Sequence, residues 1–201
     1  FRKAENGKYV NYWSKSGSIV CRVKNGNMVA VKIQGKYWMY WGESNIYAAT
    51  SDNLIDWTPI RETDPAKKQY DSLRKYEAFK IVFGPRHGKF DSELVEPGPP
   101  AILTDDGIVF IYNSKNSPSF GDKSLPNGTY AAGQILLNKA DPLKVLDRCE
   151  NYFIKPDMPY EITGQVNNVC FVEGLVQFNN KWFLYYGTAD SKIAVATSEI
   201  K

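Results

Sequence analysis

Apolar and polar positions along the chain alternate in short blocks rather than in helical stripes. Three segments share one design: VAVKIQGKYWMYWG (29–42), PAILTDDGIVFIYN (100–113) and GLVQFNNKWFLYYG (174–187). Each predicts a strand, a tight polar turn and a second strand, the turns falling at Gln34-Gly35, Asp105-Asp106-Gly107 and Asn179-Asn180. In the first, Trp38 and Tyr40 alternate with Tyr37, Met39 and Trp41, so both faces are apolar. Such a strand belongs between two layers. A third strand is predicted after each hairpin: IYAATS (46–51), TYAAGQILL (129–137) and IAVATS (193–198). Tyr40, Tyr112 and Tyr185 stand 72 and then 73 residues apart and are expected at equivalent places in the three units.

A repeat made only of strands predicts propeller blades around an axis. The fold class is therefore all-β, a β-propeller to which this chain contributes about three blades. One joining loop carries Asp64-Pro65 as a helix start, with Tyr70, Leu73 and Tyr76 at roughly helical spacing. It predicts a short helical insertion near 64–79. Blades need neighbours on both faces, and three do not close a ring. Residues 1–201 are thus expected to be the C-terminal part of a single propeller domain, with further blades N-terminal to them.

Composition narrows the function. Aromatic residues make up 14% of the chain, with 5 Trp and 13 Tyr, which suits all-β packing or a sugar-binding cleft. The 25 basic and 22 acidic residues are interspersed, so no basic block points to a nucleic-acid partner. No apolar run approaches the roughly 18 residues that would cross a membrane. The opening FRKAENGKYVNYW lacks a signal-peptide pattern. A soluble protein is expected, periplasmic or secreted rather than cytoplasmic. Cys21, Cys149 and Cys170 are odd in number and scattered, and read as buried or incidental thiols. Neither a metal nor an organic cofactor is implied.

The innermost strands of a propeller line its axial cavity, so polar groups at their ends face a shared pocket. Glu43, Glu96, Glu173 and Asp190 all lie at strand boundaries marked by Gly or Pro. A lone Glu at a strand end is ordinarily solvated; four at matching places argue for a pocket. Convergent carboxylates between aromatic walls are the equipment of glycoside cleavage, one protonating the leaving oxygen and another activating water. His87, the only histidine, has no partner nucleophile in sequence. Asn127-Gly128-Thr129 is a glycosylation triplet of a kind common by chance.

Three longer stretches then carry a resemblance. GKYWMYWGESNIYAATSDNLIDWTP, FDSELVEPGPPAILTDDGIVFIYN and the run from DPLKVLDRCE to SKIAVATS resemble, in order, three signatures of glycoside hydrolase family 130. That family's members are five-bladed propeller enzymes acting on β-mannosides, some phosphorylases and some hydrolases. The resemblance implies that about two N-terminal blades precede this chain and supply the general acid. Phosphorylases of the family hold phosphate with a basic cluster that includes a histidine in Tyr-His-Gly, where this chain reads Tyr112-Asn113-Ser114. Hydrolytic members use glutamates there, and Glu43 and Glu96 match that role.

The reading is an inverting, exo-acting β-mannosidase for β-1,2-linked mannosides, with Glu43 and Glu96 catalytic and a mannose-containing oligosaccharide as partner. Asp190 is expected to hold hydroxyls of the terminal sugar, with Glu173, Lys15, Tyr112 and Asn113 as further substrate contacts. The alternatives are a mannosyl phosphorylase using Lys15, Arg86 and His87, and a carbohydrate-binding propeller without turnover.

Overall fold

The polar turns close their hairpins with left-handed backbone, as two-residue connections between twisted strands require. Gln34 and Gly35 adopt φ of 52° and 79°, and Asn179 and Asn180 adopt 46° and 60°. Asn25 and Gly26, at 52° and 78°, close a further hairpin by the same chemistry. A computed structural model of the chain describes residues 4–10, 14–64 and 79–200. Residues 65–78 of the helical insertion expected near 64–79 lie outside those described.

The first blade comprises β1 (Gly17–Lys24), β2 (Asn27–Ala30), β3 (Lys32–Ile33), β4 (Lys36–Trp41), β5 (Ile46–Ser51), β6 (Trp57–Pro59) and β7 (Ile81–Phe83). The second comprises β8 (Leu94–Pro97), β9 (Ala101–Leu103), β10 (Ile108–Lys115), β11 (Tyr130–Leu137) and β12 (Val145–Arg148). A single helical turn, α1 (Pro159–Ile162), precedes the third blade, β13 (Cys170–Phe178), β14 (Lys181–Thr188) and β15 (Lys192–Glu199). Buried Glu161 secures α1, accepting from the Asp157 and Met158 N–H groups and from the Tyr186 hydroxyl. The first two blades share one hydrogen-bonded path, because β1 pairs with β4 and then runs parallel to β9 through Val20 and Cys21. The third is a separate antiparallel sheet.

Two cores form between consecutive blades. Val20, Trp38, Tyr40 and Ile46 of the first blade meet Val95, Ile108, Phe110 and Tyr112 of the second. Ile111 and Ala132, from the second blade's other face, meet Val172, Leu184 and Tyr186 of the third. The side chains of β10 thus alternate between two neighbours. That alternation corrects the expected tyrosine register. Tyr40 points toward the second blade, whereas Tyr112 points back toward the first, and a one-residue slip in a strand reverses its face. Trp41, Tyr112 and Tyr186 are the matching positions. Tyr185 lies on the third blade's outer face with Val176, Phe178, Ile193 and Val195, and is 42% exposed.

Polar groups inside the first core are paired. Asp91 is fully buried and accepts from the Arg86 guanidinium, from Arg148 Nη2 at 2.6 Å and from the Tyr112 hydroxyl at 2.8 Å. The Tyr112 ring lies over Gly133, where a Cβ would overlap it. Breaking a buried ion pair by removing one partner costs about 3–5 kcal/mol, and a hydrogen bond to a charged group, such as that of the Tyr112 hydroxyl to Asp91, is worth about 1.5–3 kcal/mol. Asp91→Asn is therefore expected to lower the unfolding free energy in urea by more than Tyr112→Phe does. Similar small losses for the two variants would contradict this account of the core.

Candidate active site

Gly42 ends β4 at φ 125°, where a Cβ would meet the Asn45 carbonyl and the Tyr47 ring. The chain turns there and Glu43 leaves the strand. Ser44 then bridges to Val95 of β8, which brings Glu43 beside Glu96. Lys15, just before β1, joins the two: its Nζ lies 3.0 Å from Glu43 and 3.5 Å from Glu96.

Glu96 is 1% exposed, and among the described residues neither of its carboxylate oxygens has a hydrogen-bond partner. Burial pushes its pKa above the usual carboxylate range; the Lys15 charge pulls it back in part, and the Glu43 charge raises it further. Burial also raises Glu173, on β13, and the charge of Glu96 adds to the shift. Burial works against the Lys15 ammonium, but its bond to Glu43 and the two carboxylate charges leave its pKa raised. Two of the four expected acids, Glu43 and Glu96, therefore share Lys15, and a third, the exposed Glu173, is coupled to Glu96. A buried, unbonded carboxylate with a raised pKa is suited to take a proton.

Beside this cluster opens a cavity of about 550 Å³, lined by Lys15, Lys115, Asn127, Tyr130, Phe171 and Asp190 among others. Asp190 reaches it from the β14–β15 turn. Glu43, Glu96 and Glu173 are not among its walls; Lys15 is the link between cavity and carboxylates.

Tyr112 and Asn113 depart from their expected role as substrate contacts. Both are fully buried, because β10 is covered on both faces. The Tyr112 hydroxyl is spent on Asp91. Asn113 lies opposite Glu96 and turns into the joint with the third blade. Its Nδ2 donates to the Val172 carbonyl at 2.9 Å and the Pro97 carbonyl at 3.3 Å, while its Oδ1 accepts from the Val172 N–H at 2.7 Å. Each of those residues adjoins an acid, Pro97 next to Glu96 and Val172 next to Glu173. Asn113 thus ties the two carboxylate-bearing strands together.

The basic trio of the alternative reading is not assembled. Arg86 is bound to Asp91 and to the Cys149 carbonyl, and exposed His87 stacks on Phe120 with centroids 5.6 Å apart. The three cysteines are free, and burial pushes the Cys170 thiol up to about 12. No helix among the described residues is long and apolar enough to cross a membrane. Sequence reasoning missed Tyr130 and Phe171, which begin strands and read as ordinary core aromatics, and the Lys115–Glu93 pair at 2.8 Å.

A family model described as beta-1,4-mannooligosaccharide phosphorylase, of glycoside hydrolase family 130, matches residues 1–201. The chain is 29% identical over 191 residues to a 1,2-beta-oligomannan phosphorylase of Thermoanaerobacter sp. (strain X514), covering 94% of this chain and 55% of that protein. It superposes on a glycosyl hydrolase from Bacteroides ovatus with TM-score 0.90 and 47% identity, over 99% of this chain and 52% of the other. TM-score 0.90, 46% identity and the same coverages hold for a further structure. Its description states that the GH130 family of mannoside phosphorylases contains glycoside hydrolases that target beta-1,2 mannosidic linkages in Candida mannan. The chain spans about half the length of these relatives. The blade architecture, the order of its strands and a match along the full chain lead to one assignment: the chain belongs to glycoside hydrolase family 130.

Proposed function

We propose that this chain is the C-terminal part of a propeller catalytic domain that cleaves β-linked mannosides, β-1,2-linked ones foremost, with water and with inversion. The observation that carries the reading is Glu96, buried without a hydrogen bond beside Lys15 and Glu43. In an inverting site the base activates water across the sugar from the acid, the two carboxyl groups standing roughly 6.5–9.5 Å apart. Glu96, assisted by Glu43, takes the base role, opposite a general acid that the family resemblance assigns to N-terminal blades. Lys15 keeps enough of the carboxylate ionised to act.

The descriptions of the family model and of the phosphorylase relative favour a second reading, attack by phosphate. Charge favours water. The two lysines lining the cavity are already paired with glutamates, Lys15 with Glu43 and Glu96, Lys115 with Glu93. A phosphate dianion would have to compete with those glutamates for both lysines. Asn113, at the place of the expected phosphate-binding histidine, has its amide committed to backbone.

Two outcomes test the assignment, both in protein carrying this chain with its N-terminal blades. Glu96→Gln is expected to lower kcat on β-1,2-mannobiose by about 10²–10⁴-fold, the usual contribution of a general base. Glu43→Gln should cost less, and the double variant no less than Glu96→Gln. Near-normal turnover by the double variant would end the reading. The base must be deprotonated to act, so the raised pKa of Glu96 predicts an acid limb of kcat/KM above the ordinary glutamate range. Lys15→Met removes the cation that lowers this pKa and should move the limb to higher pH. Glu43→Gln removes a like charge and should move it to lower pH. Shifts of the same sign, measured by pH–rate profiles, would contradict the assignment of Glu96.

A further inference from the structure

In the reading above Lys15 keeps Glu96 ionised, so the ammonium must stay near it. The Lys15 side chain is 46% exposed and lines two cavities, of about 550 and 330 Å³, so its flexible four-carbon stem has room to swing. What restrains it comes from the chain on either side, Ser14 and Ser16. Ser16 Oγ donates to the Pro97 carbonyl at 3.2 Å, and Pro97 follows Glu96. Ser14 Oγ accepts from the Gly42 N–H at 3.2 Å, and Gly42 precedes Glu43. The same hydroxyl donates to the Ser16 carbonyl at 2.7 Å. Each serine beside Lys15 is thus bonded to the backbone beside one of the two glutamates. We propose that Ser14 and Ser16 are positioning residues, which clip the Lys15 segment to the Glu43 turn and to the end of the Glu96 strand and so fix the ammonium between the carboxylates. The proposal rests on the base role assigned to Glu96 and adds what holds its cation in place.

The sequence explains why hydroxyls make this join. β1 runs parallel to β9 at Val20 and Cys21, but the chain entering β9 is Pro97-Gly98-Pro99-Pro100, whose prolines carry no N–H. The parallel ladder stops there, while the buried Pro97 and Pro99 carbonyls still need donors. Side chains supply them: Ser16 reaches Pro97, and buried Ser18 reaches Pro99 at 2.7 Å. On the other side, the β1–β4 register pairs Gly17 with Trp41 and runs on toward Lys15 and Glu43. Gly42, at φ 125°, turns the chain out of β4, and its N–H finds the Ser14 hydroxyl. Ser14 and Ser16 therefore take over where two backbone ladders end.

The consequence for the base follows from charge. The titratable groups facing Glu96 are Lys15, Glu43 from the turn after β4, Glu173 from β13 and Tyr130 from β11. Among these four Lys15 is the cation, and it pulls the Glu96 pKa down while burial and Glu43 push it up. An ammonium free to swing into either cavity spends less time near the carboxylate. Glu96 then holds its proton to higher pH, and the acid limb of kcat/KM moves up with it. Removal of the Ser16 hydroxyl spares the fold, because the Pro97 carbonyl keeps the Asn113 amide at 3.3 Å.

pH–rate profiles on β-1,2-mannobiose test the clip, in protein carrying this chain with its N-terminal blades. Ser16→Ala and Ser14→Ala are each expected to move the acid limb to higher pH by roughly half the shift that Lys15→Met produces, as follows if the mean distance from ammonium to Glu96 about doubles. In a Lys15→Met background the same changes should leave the limb where it stands, because the group through which they act is gone. Ser14→Ala decides the matter if Ser16→Ala does not fold. Serine variants that lose activity equally at every pH, with the limb unmoved, would overturn the proposal. So would equal shifts with and without Lys15. A wild-type protein without activity, or a limb that ignores Lys15→Met, would instead overturn the reading of Glu96 as base, and the clip with it.

Discussion

The structure depends on β10 being buried on both faces. Phe110 and Tyr112 fill the joint with the first blade, and Ile111 and Asn113 fill the joint with the third. A polar side chain on such a strand has no water to turn to, so it must find its partners inside the protein. Tyr112 finds Asp91, whose charge in turn holds Arg86 and Arg148. Asn113 finds the backbone of Val172 and Pro97. Two adjacent residues of one strand thereby organise both blade joints.

The site inherits its geometry from that arrangement. Glu96 lies directly across from Asn113, and Glu173 follows Val172, so the amide that joins the blades also sets how the two acids approach. Leaving a buried carboxylate without a hydrogen bond costs stability. It is tolerated because the surrounding strands are fixed by their own ladders and because Lys15 offers charge compensation at 3.5 Å. The same desolvation that penalises Glu96 raises its proton affinity. The cost in stability and the capacity to accept a proton have one cause.

Much of this was legible in the chain. The hairpins were readable because their turns use Gln-Gly and Asn-Asn, residues that accept left-handed backbone, and the apolar alternation beside them was strong. Asn25-Gly26 carried the same signal and could have revealed β1 and β2. The register of Tyr112 was not legible, since aligned spacing cannot resolve a one-residue slip that reverses a strand's face. Glu43 and Glu96 were found from their glycine and proline boundaries, and the structure brings them together. Asn113 was misread as a substrate contact because its partners, Pro97 and Val172, lie 16 and 59 residues away in sequence. Tyr130 and Phe171 were invisible for a similar reason: only the packing of two blades makes them walls of one cavity.

The central claim is that water, positioned by Glu96, attacks the anomeric carbon from the face opposite the leaving oxygen. Proton NMR of the free mannose first released from methyl β-1,2-mannobioside, whose leaving half remains a methyl glycoside, tests it most directly in phosphate buffer. The account predicts α-mannose appearing first and mutarotating later, with no phosphorylated sugar. Accumulation of α-mannose 1-phosphate, or β-mannose as the initial product, would contradict it.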